Sequence, residues 1–107
     1  MKKILLLLLL TLTLTSCDEQ TSVFYYRDGN HLHKELNGTD VEQLVATGYI
    51  LGVVDTSSLR NCENMRNVTV GQLVDVVKNH LKNNPEVRQN SASQIVESVI
   101  KEKFKCN

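Results

Sequence analysis

The sequence predicts an all-α protein, a small bundle of about four helices stapled by one disulfide. Two stretches repeat apolar residues at the spacing of one helical face, and two segments open with the pattern of a capping box. A chain of 107 residues accommodates one domain at most.

The N-terminus has the pattern of an export signal. Lys2 and Lys3 precede an apolar run, residues 4–14, which is shorter than the roughly 20 residues that a membrane span requires. The next residues, Leu-Thr-Ser-Cys, resemble the lipobox of bacterial lipoproteins and predict Cys17 as the lipid anchor. The alternative is an ordinary secretory signal that is cut near Ser16. Lipidation is favoured because three cysteines would otherwise leave one thiol unpaired in an exported protein.

Cleavage before Cys17 leaves 91 residues with 10 basic and 12 acidic side chains, a net charge of −2. This balance shows neither a basic patch for nucleic acid nor an acidic tail. The two remaining thiols, Cys62 and Cys106, are expected to pair outside the cytoplasm. Such a bridge closes a loop of about 45 residues and contributes roughly 4 kcal/mol.

A metal site is the competing interpretation of the cysteines, because His31, His33 and His80 are also present. No Cys-x-x-Cys occurs, and no histidine stands at a zinc spacing from either thiol. The sequence therefore predicts no metal ligands.

We divide the chain into a signal, residues 1–16, a tether, residues 17–29, and a helical domain, residues 30–107. Residues 23–26, Val-Phe-Tyr-Tyr, hold three of the five aromatic side chains. They are interpreted as an extended segment packed on the helices, since a small core uses its large side chains. The alternative is an exposed aromatic patch for a partner. A turn then leads to Asn30, which is expected to cap a short first helix.

The second helix opens with a capping box at Thr39 and Glu42. One face then carries Val41, Leu44, Val45 and Gly48, and from Tyr49 onward the other faces are apolar too. A helix that is apolar all round is expected to be buried, so this helix should lie at the centre of the bundle.

Gly48 and Gly52 lie on one face of that helix, where they predict close approach by another helix. A buried strand is the alternative for this apolar stretch. The glycine spacing also matches a membrane-helix contact motif, but the apolar run is too short to span a bilayer.

Two further helices follow a loop, residues 55–67, that holds Cys62. Thr69 and Gln72 form the second capping box, and Pro85 ends that helix and can open a short turn. Ser91 is expected to cap the last helix. The apolar stripes of the two helices are Val70, Leu73, Val74, Val77 and Leu81, then Ala92, Ile95, Val96, Val99, Ile100 and Phe104.

No catalytic residue is predicted, and neither is a cofactor. The thiols are assigned to lipid or disulfide, and two histidines two residues apart point in different directions on a helix. Asp55 has the position of a cap or turn former. The sequence shows no paired carboxylates, phosphate loop or nucleophile elbow. The chain is therefore not predicted to be an enzyme, and a binding role remains.

An ordered set of short motifs resembles the Rap/Tai family, the immunity proteins against type VI secretion amidases. The matching positions are Gly48, Tyr49, Ile50, Gly52, Val53 and Asp55, then Cys62, then Val68, Thr69, Gln72 and Leu73, then Pro85, Glu86 and Arg88, and finally Phe104 and Cys106. The resemblance covers roughly residues 30–106. A second cysteine pair that is frequent in the family is missing, since Ala46 and the region of Leu36 stand at its positions.

The resemblance implies a periplasmic immunity protein that blocks the cleft of a peptidoglycan amidase and protects the cell from its own or sibling toxin. It also implies a possible homodimer. The motif residues Gly48, Tyr49, Gly52, Asp55, Gln72 and Pro85 are interpreted as structural. Contacts with the toxin are assigned to Glu86, Arg88 and Gln89 and to exposed parts of residues 56–67. The alternative for Arg88 is a solvated residue or an internal ion pair.

Two other functions remain open at this point. An acid-stress chaperone would loosen at low pH and bind many clients, and a structural envelope lipoprotein would do neither. The lipid anchor is expected in the inner or the outer membrane. Asp18, directly after Cys17, resembles a signal for retention in the inner membrane.

Overall fold

The computed structural model describes residues 27–106, which form four α-helices. They are α1 (Gly29–Leu36), α2 (Asp40–Thr56), α3 (Val70–Asn83) and α4 (Ala92–Lys103). Within these residues there is no β-strand, only an isolated bridge between Asp28 and Ser91. The all-α bundle predicted from the sequence is confirmed. The signal, Cys17 and residues 23–26 lie outside the described residues.

Side-chain caps begin the first three helices. Both predicted capping boxes are present: Thr39 with Glu42 opens α2, and Thr69 with Gln72 opens α3. The cap of α1 differs from the prediction, because Asp28 rather than Asn30 accepts the hydrogen bond from the backbone N–H of His31, at 2.8 Å.

Ser91 stands at the N-cap position of α4, as predicted, but the expected side-chain cap is absent. Ser91 precedes the helix but makes no side-chain bond to its backbone. Its hydroxyl lies 3.0 Å from that of Ser93 instead.

The core contains residues from all four helices. Its buried apolar side chains are Leu32, Leu36, Ala46, Ile50, Val54, Leu59, Leu73, Val77, Leu81, Ala92, Ile95, Val96, Val99 and Ile100. The predicted stripe of α4 is buried apart from Phe104, which is half-buried. The α3 stripe is largely confirmed, but its first residue, Val70, is exposed.

The α2 helix is buried on one face only, contrary to the prediction of an enclosed central helix. Ala46, Ile50 and Val54 point into the core. The opposite face, with Val41, Leu44 and Val45, is exposed. The physical reason is the number of partners: in a bundle this small, three neighbouring helices cannot surround the fourth.

The loop between α2 and α3 is held at several points. It forms two short 3₁₀ turns, Ser58–Asn61 and Glu63–Met65, and buries Leu59. The predicted disulfide between Cys62 and Cys106 is present, with 5.5 Å between the Cα atoms. The Asn64 side chain also donates to the backbone carbonyl of Phe104, at 2.9 Å. The loop is therefore fastened to the C-terminal end of α4.

No helix within residues 27–106 combines the length and the hydropathy that crossing a membrane requires.

Candidate partner-binding surfaces

An exposed apolar strip runs along α2. We define the α2 strip as Val41, Leu44, Val45, Gly48 and Gly52, which lie on one face of the helix. The three side chains are 70%, 71% and 47% exposed, respectively. A contiguous exposed apolar surface is characteristic of an interaction site.

The glycines of the α2 strip have no close neighbour among the described residues. A Cβ built on Gly48 or Gly52 would meet no atom within 4 Å. The prediction that another helix packs closely on these glycines is therefore wrong for the described part of the chain. Any packing against them must come from outside residues 27–106.

The first described residue lies beside the α2 strip. The Arg27 guanidinium carbon stands 4.7 Å from the centre of the Tyr49 ring, a cation–π contact. Its Nε atom is 3.0 Å from Glu35 Oε2, and His31 Nε2 is 3.3 Å from Glu35 Oε1. These contacts tie the start of the domain to α1 and α2, so Arg27 belongs structurally with the helices rather than with a free tether.

The turn between α3 and α4 carries the three residues assigned to toxin contact. Pro85 opens a 3₁₀ turn, as predicted. Glu86 and Gln89 are exposed. Arg88 is half-buried and turns inward: its Nε donates to the carbonyl of Leu81 at 2.6 Å and its Nη2 to that of Lys82 at 3.2 Å. Two of the three side chains are thus free to meet a partner, while Arg88 caps the end of α3.

The Arg88 charge also acts on α1. The pKa of His33 is lowered from its ordinary value, first by burial and second by the Arg88 guanidinium. A lowered pKa means that the folded protein favours the neutral form of His33 more than the unfolded chain does. The unfolded chain therefore binds a proton at His33 more readily than the folded protein does. The free energy of unfolding is unaffected by this histidine above its unfolded pKa and decreases as the pH falls from that value through the folded pKa.

Replacing Arg88 by alanine should destabilise the fold. Two charge-assisted bonds to carbonyls in the last turn of α3 are lost, one to the buried residue Leu81 and one to the exposed residue Lys82. We expect a loss of about 2 kcal/mol in the free energy of unfolding, measured by urea denaturation. The exposed neighbour supplies the control, since Gln89→Ala should change stability by less than about 0.5 kcal/mol. Equal effects of the two substitutions would show that the cap contributes nothing.

The loop between α2 and α3 is a second exposed polar surface. Its exposed side chains are Ser58, Arg60, Asn61, Glu63, Asn64, Arg66 and Asn67. This loop and the turn after α3 stand at opposite ends of that helix, whose 14 residues span about 21 Å. The structure does not place the two predicted contact segments side by side.

Of the motif residues interpreted as structural, three make local contacts that support the fold and three are exposed. Gln72 completes the α3 capping box, Pro85 opens the turn, and Tyr49 stacks with Arg27. Gly48, Gly52 and Asp55 lie on exposed positions of α2, where the described residues give them no packing role.

A groove of about 250 Å³ lies between α3 and α4. Its walls are His80, Val87, Asn90, Gln94, Ile95, Ser98 and Val99. His80 is half-buried, and the side-chain nitrogen of Asn84 lies 3.4 Å from its Nδ1 atom. Within residues 27–106 no three His, Cys, Asp or Glu side chains gather in a metal-binding group.

The comparison with protein families decides the affiliation. The model of the Rap1a immunity proteins matches residues 14–106, nearly the whole chain. The chain belongs to the Rap1a immunity protein family. Searches of curated proteins and of solved structures found no significant match.

A second family model describes the N-terminus of this Rap1a immunity protein. Residues 1–17 match the lipid attachment site of prokaryotic membrane lipoproteins. The match ends on Cys17, the residue predicted to carry the lipid, and assigns the chain to the lipoproteins of the cell envelope.

Proposed function

We propose that this protein is a periplasmic immunity protein that binds and inhibits a peptidoglycan amidase effector of type VI secretion. The observation that carries the proposal is the family match over residues 14–106. The lipid attachment site supports a position at the envelope, where the peptidoglycan lies. The protein would act by occupying the toxin's cleft, without chemistry of its own.

The construction of the domain suits a binder. The disulfide, the capped helices and the inward-turned Arg88 fix both polar loops before a partner arrives. Preorganised loops lose little conformational entropy on association, so more of the contact energy appears as affinity. Short, fixed loops are also the shape that can enter an enzyme cleft.

The turn after α3 is the proposed centre of the toxin interface. The side chains of Glu86 and Gln89 are polar and exposed, and the hydrogen bond from Arg88 to the carbonyl of Leu81 fastens the turn to α3. Backbone bonds from α1 hold it from the other side: the Asn30 N–H donates to the carbonyl of Arg88 at 2.8 Å and the Gly29 N–H to that of Asn90 at 3.0 Å.

The double substitution Glu86→Ala with Gln89→Ala tests this interface. We expect at least a tenfold loss of affinity for the amidase, about 1.4 kcal/mol, with an unchanged melting temperature, because both side chains are exposed. Calorimetric titration of the purified amidase measures the affinity, and hydrolysis of peptidoglycan fragments measures inhibition. Asp75→Ala, an exposed substitution on α3, is the matched control. Full affinity of the double variant would show that the toxin does not bind at this turn.

A further inference from the structure

The first described residues are bonded directly to the turn after α3. We call residues 27–30 the N-terminal clip. The Ala92 N–H donates to the carbonyl of Arg27 at 3.1 Å, which joins the clip to the start of α4. The N–H groups of Gly29 and Asn30 donate to two carbonyls of the turn, at 3.0 and 2.8 Å. The position of the turn therefore depends on where the N-terminal clip lies.

The side chain of Arg27 fixes the N-terminal clip on the first two helices. Its Nη2 donates to Glu35 Oε1 at 3.1 Å, and its Nε lies 3.0 Å from Glu35 Oε2. The two side chains are only 21% and 13% exposed, and the Nε and Oε2 atoms are closed to solvent. The Tyr49 ring covers the guanidinium at 4.7 Å. Water therefore cannot replace either partner of the pair.

An ion pair in such a place contributes little to stability. Removing two charges from water costs about as much free energy as their attraction returns, so well-packed apolar side chains of similar volume stabilise a fold equally or better. The contact between a guanidinium and a carboxylate is directional, however, whereas apolar side chains can slide past one another. A directional contact suits a segment whose position must be fixed. The N-terminal clip is such a segment, because it is bonded to the proposed toxin-binding turn.

We propose that Arg27 and Glu35 are positioning residues for toxin binding. Their contact fixes the N-terminal clip, and the clip holds the turn that carries Glu86 and Gln89 in the shape that the toxin meets. The inference rests on the proposed function, since it concerns the same turn. It adds to the determinants of affinity a pair of side chains that act through the backbone of the clip.

The test replaces the ion pair by apolar side chains, Arg27→Met with Glu35→Leu, in the mature chain with Cys17→Ser. His31, which lies 3.3 Å from Glu35, is exposed and keeps water as its partner. We expect a folding equilibrium constant no lower than that of the unaltered protein, measured by urea denaturation. The affinity for the purified amidase should fall about tenfold, because a loosened turn must be ordered on binding.

Hydrogen exchange supplies a second measurement, which needs no toxin. The amides of Gly29, Asn30 and Ala92 are the donors that join the N-terminal clip to the turn and to α4. In the double variant these three amides should exchange at least about tenfold faster, because the clip opens locally. The amide of Val77, in the core of α3, should exchange as in the unaltered protein.

The matched control makes the same chemical change at another ion pair. Glu97 and Lys101 lie 4.0 Å apart on α4, and Glu97→Leu with Lys101→Met should change neither the affinity nor the exchange of the clip amides. Full affinity of the Arg27→Met, Glu35→Leu variant would overturn the proposal, and so would clip amides that remain protected.

A general loss of stability, in which the Val77 amide also exchanges faster, would overturn it as well, because the pair would then be merely structural. If the unaltered protein does not bind the amidase, the proposed function fails instead. The exchange rates then still decide whether the ion pair holds the N-terminal clip.

Discussion

Removing the disulfide, by Cys62→Ala with Cys106→Ala, should lower the free energy of unfolding by about 4 kcal/mol. The bridge joins residues 44 positions apart, and closing a loop of that length removes conformational entropy from the unfolded chain. Typical stabilities are about 0.05 to 0.15 kcal/mol per residue, so a domain of this size would become marginal. The loop between α2 and α3 would also lose its attachment to the C-terminal end of α4.

The measurement is urea denaturation of the mature chain, monitored by helical circular dichroism. Cys17→Ser alone is the control, because it removes a thiol outside the bridge and should leave stability unchanged. Chemical reduction of the unaltered protein should reproduce the effect of the double substitution. A loss below about 1 kcal/mol would mean that the bridge adds little to the fold.

Gly29→Ala should be the most damaging of the glycine substitutions. A Cβ at this position would stand 2.7 Å from the Cα and from the carbonyl oxygen of Arg88, and 2.7 Å from Ile95 Cδ1. Two of these contacts are backbone atoms, which a rotamer change cannot relieve. The start of α1 must then separate from the turn after α3. We expect a loss of about 3 kcal/mol, at the upper end for overpacking.

Gly71→Ala is the matched control for that experiment. The added methyl group has ordinary contact distances there, so alanine should be neutral or gain up to about 1 kcal/mol through helix propensity. Thermal or urea unfolding of both variants gives the comparison. Similar stabilities for the two would contradict the close packing of α1 against the turn. Loss of toxin binding by Gly29→Ala at a temperature where it remains folded would tie this packing to the interface.

The helices were predictable because their signals are local. The capping boxes at Thr39 and Thr69 each involve residues three apart, and the stripes of α3 and α4 have a clear period. The orientation of α2 was not predictable in the same way. Apolar side chains on all its faces carry no information about which face turns inward, and Val41 and Leu44 proved to be exposed.

The glycine that needs close packing was missed for a related reason. Gly29 lies in a stretch that has the composition of a turn, and its contacts come from Arg88 and Ile95, far along the chain. Local patterns do not report such contacts. The role of Arg88 was similarly open, although an arginine shortly after a helix is a known means of satisfying the last carbonyls. The pairing of Cys62 with Cys106 followed from counting thiols in an exported chain and is confirmed.

Protection of a cell against an amidase tests the central claim most directly. A type VI peptidoglycan amidase from the same genome is exported to the periplasm of a test host, with and without this protein. If the protein confers immunity, the host that exports only the amidase lyses, and the host that also makes this protein grows. Growth should persist with Cys17→Ala behind an ordinary signal peptide and weaken with Glu86→Ala and Gln89→Ala. Lysis with every such amidase of that genome, despite folded protein in the periplasm, would contradict the proposed function.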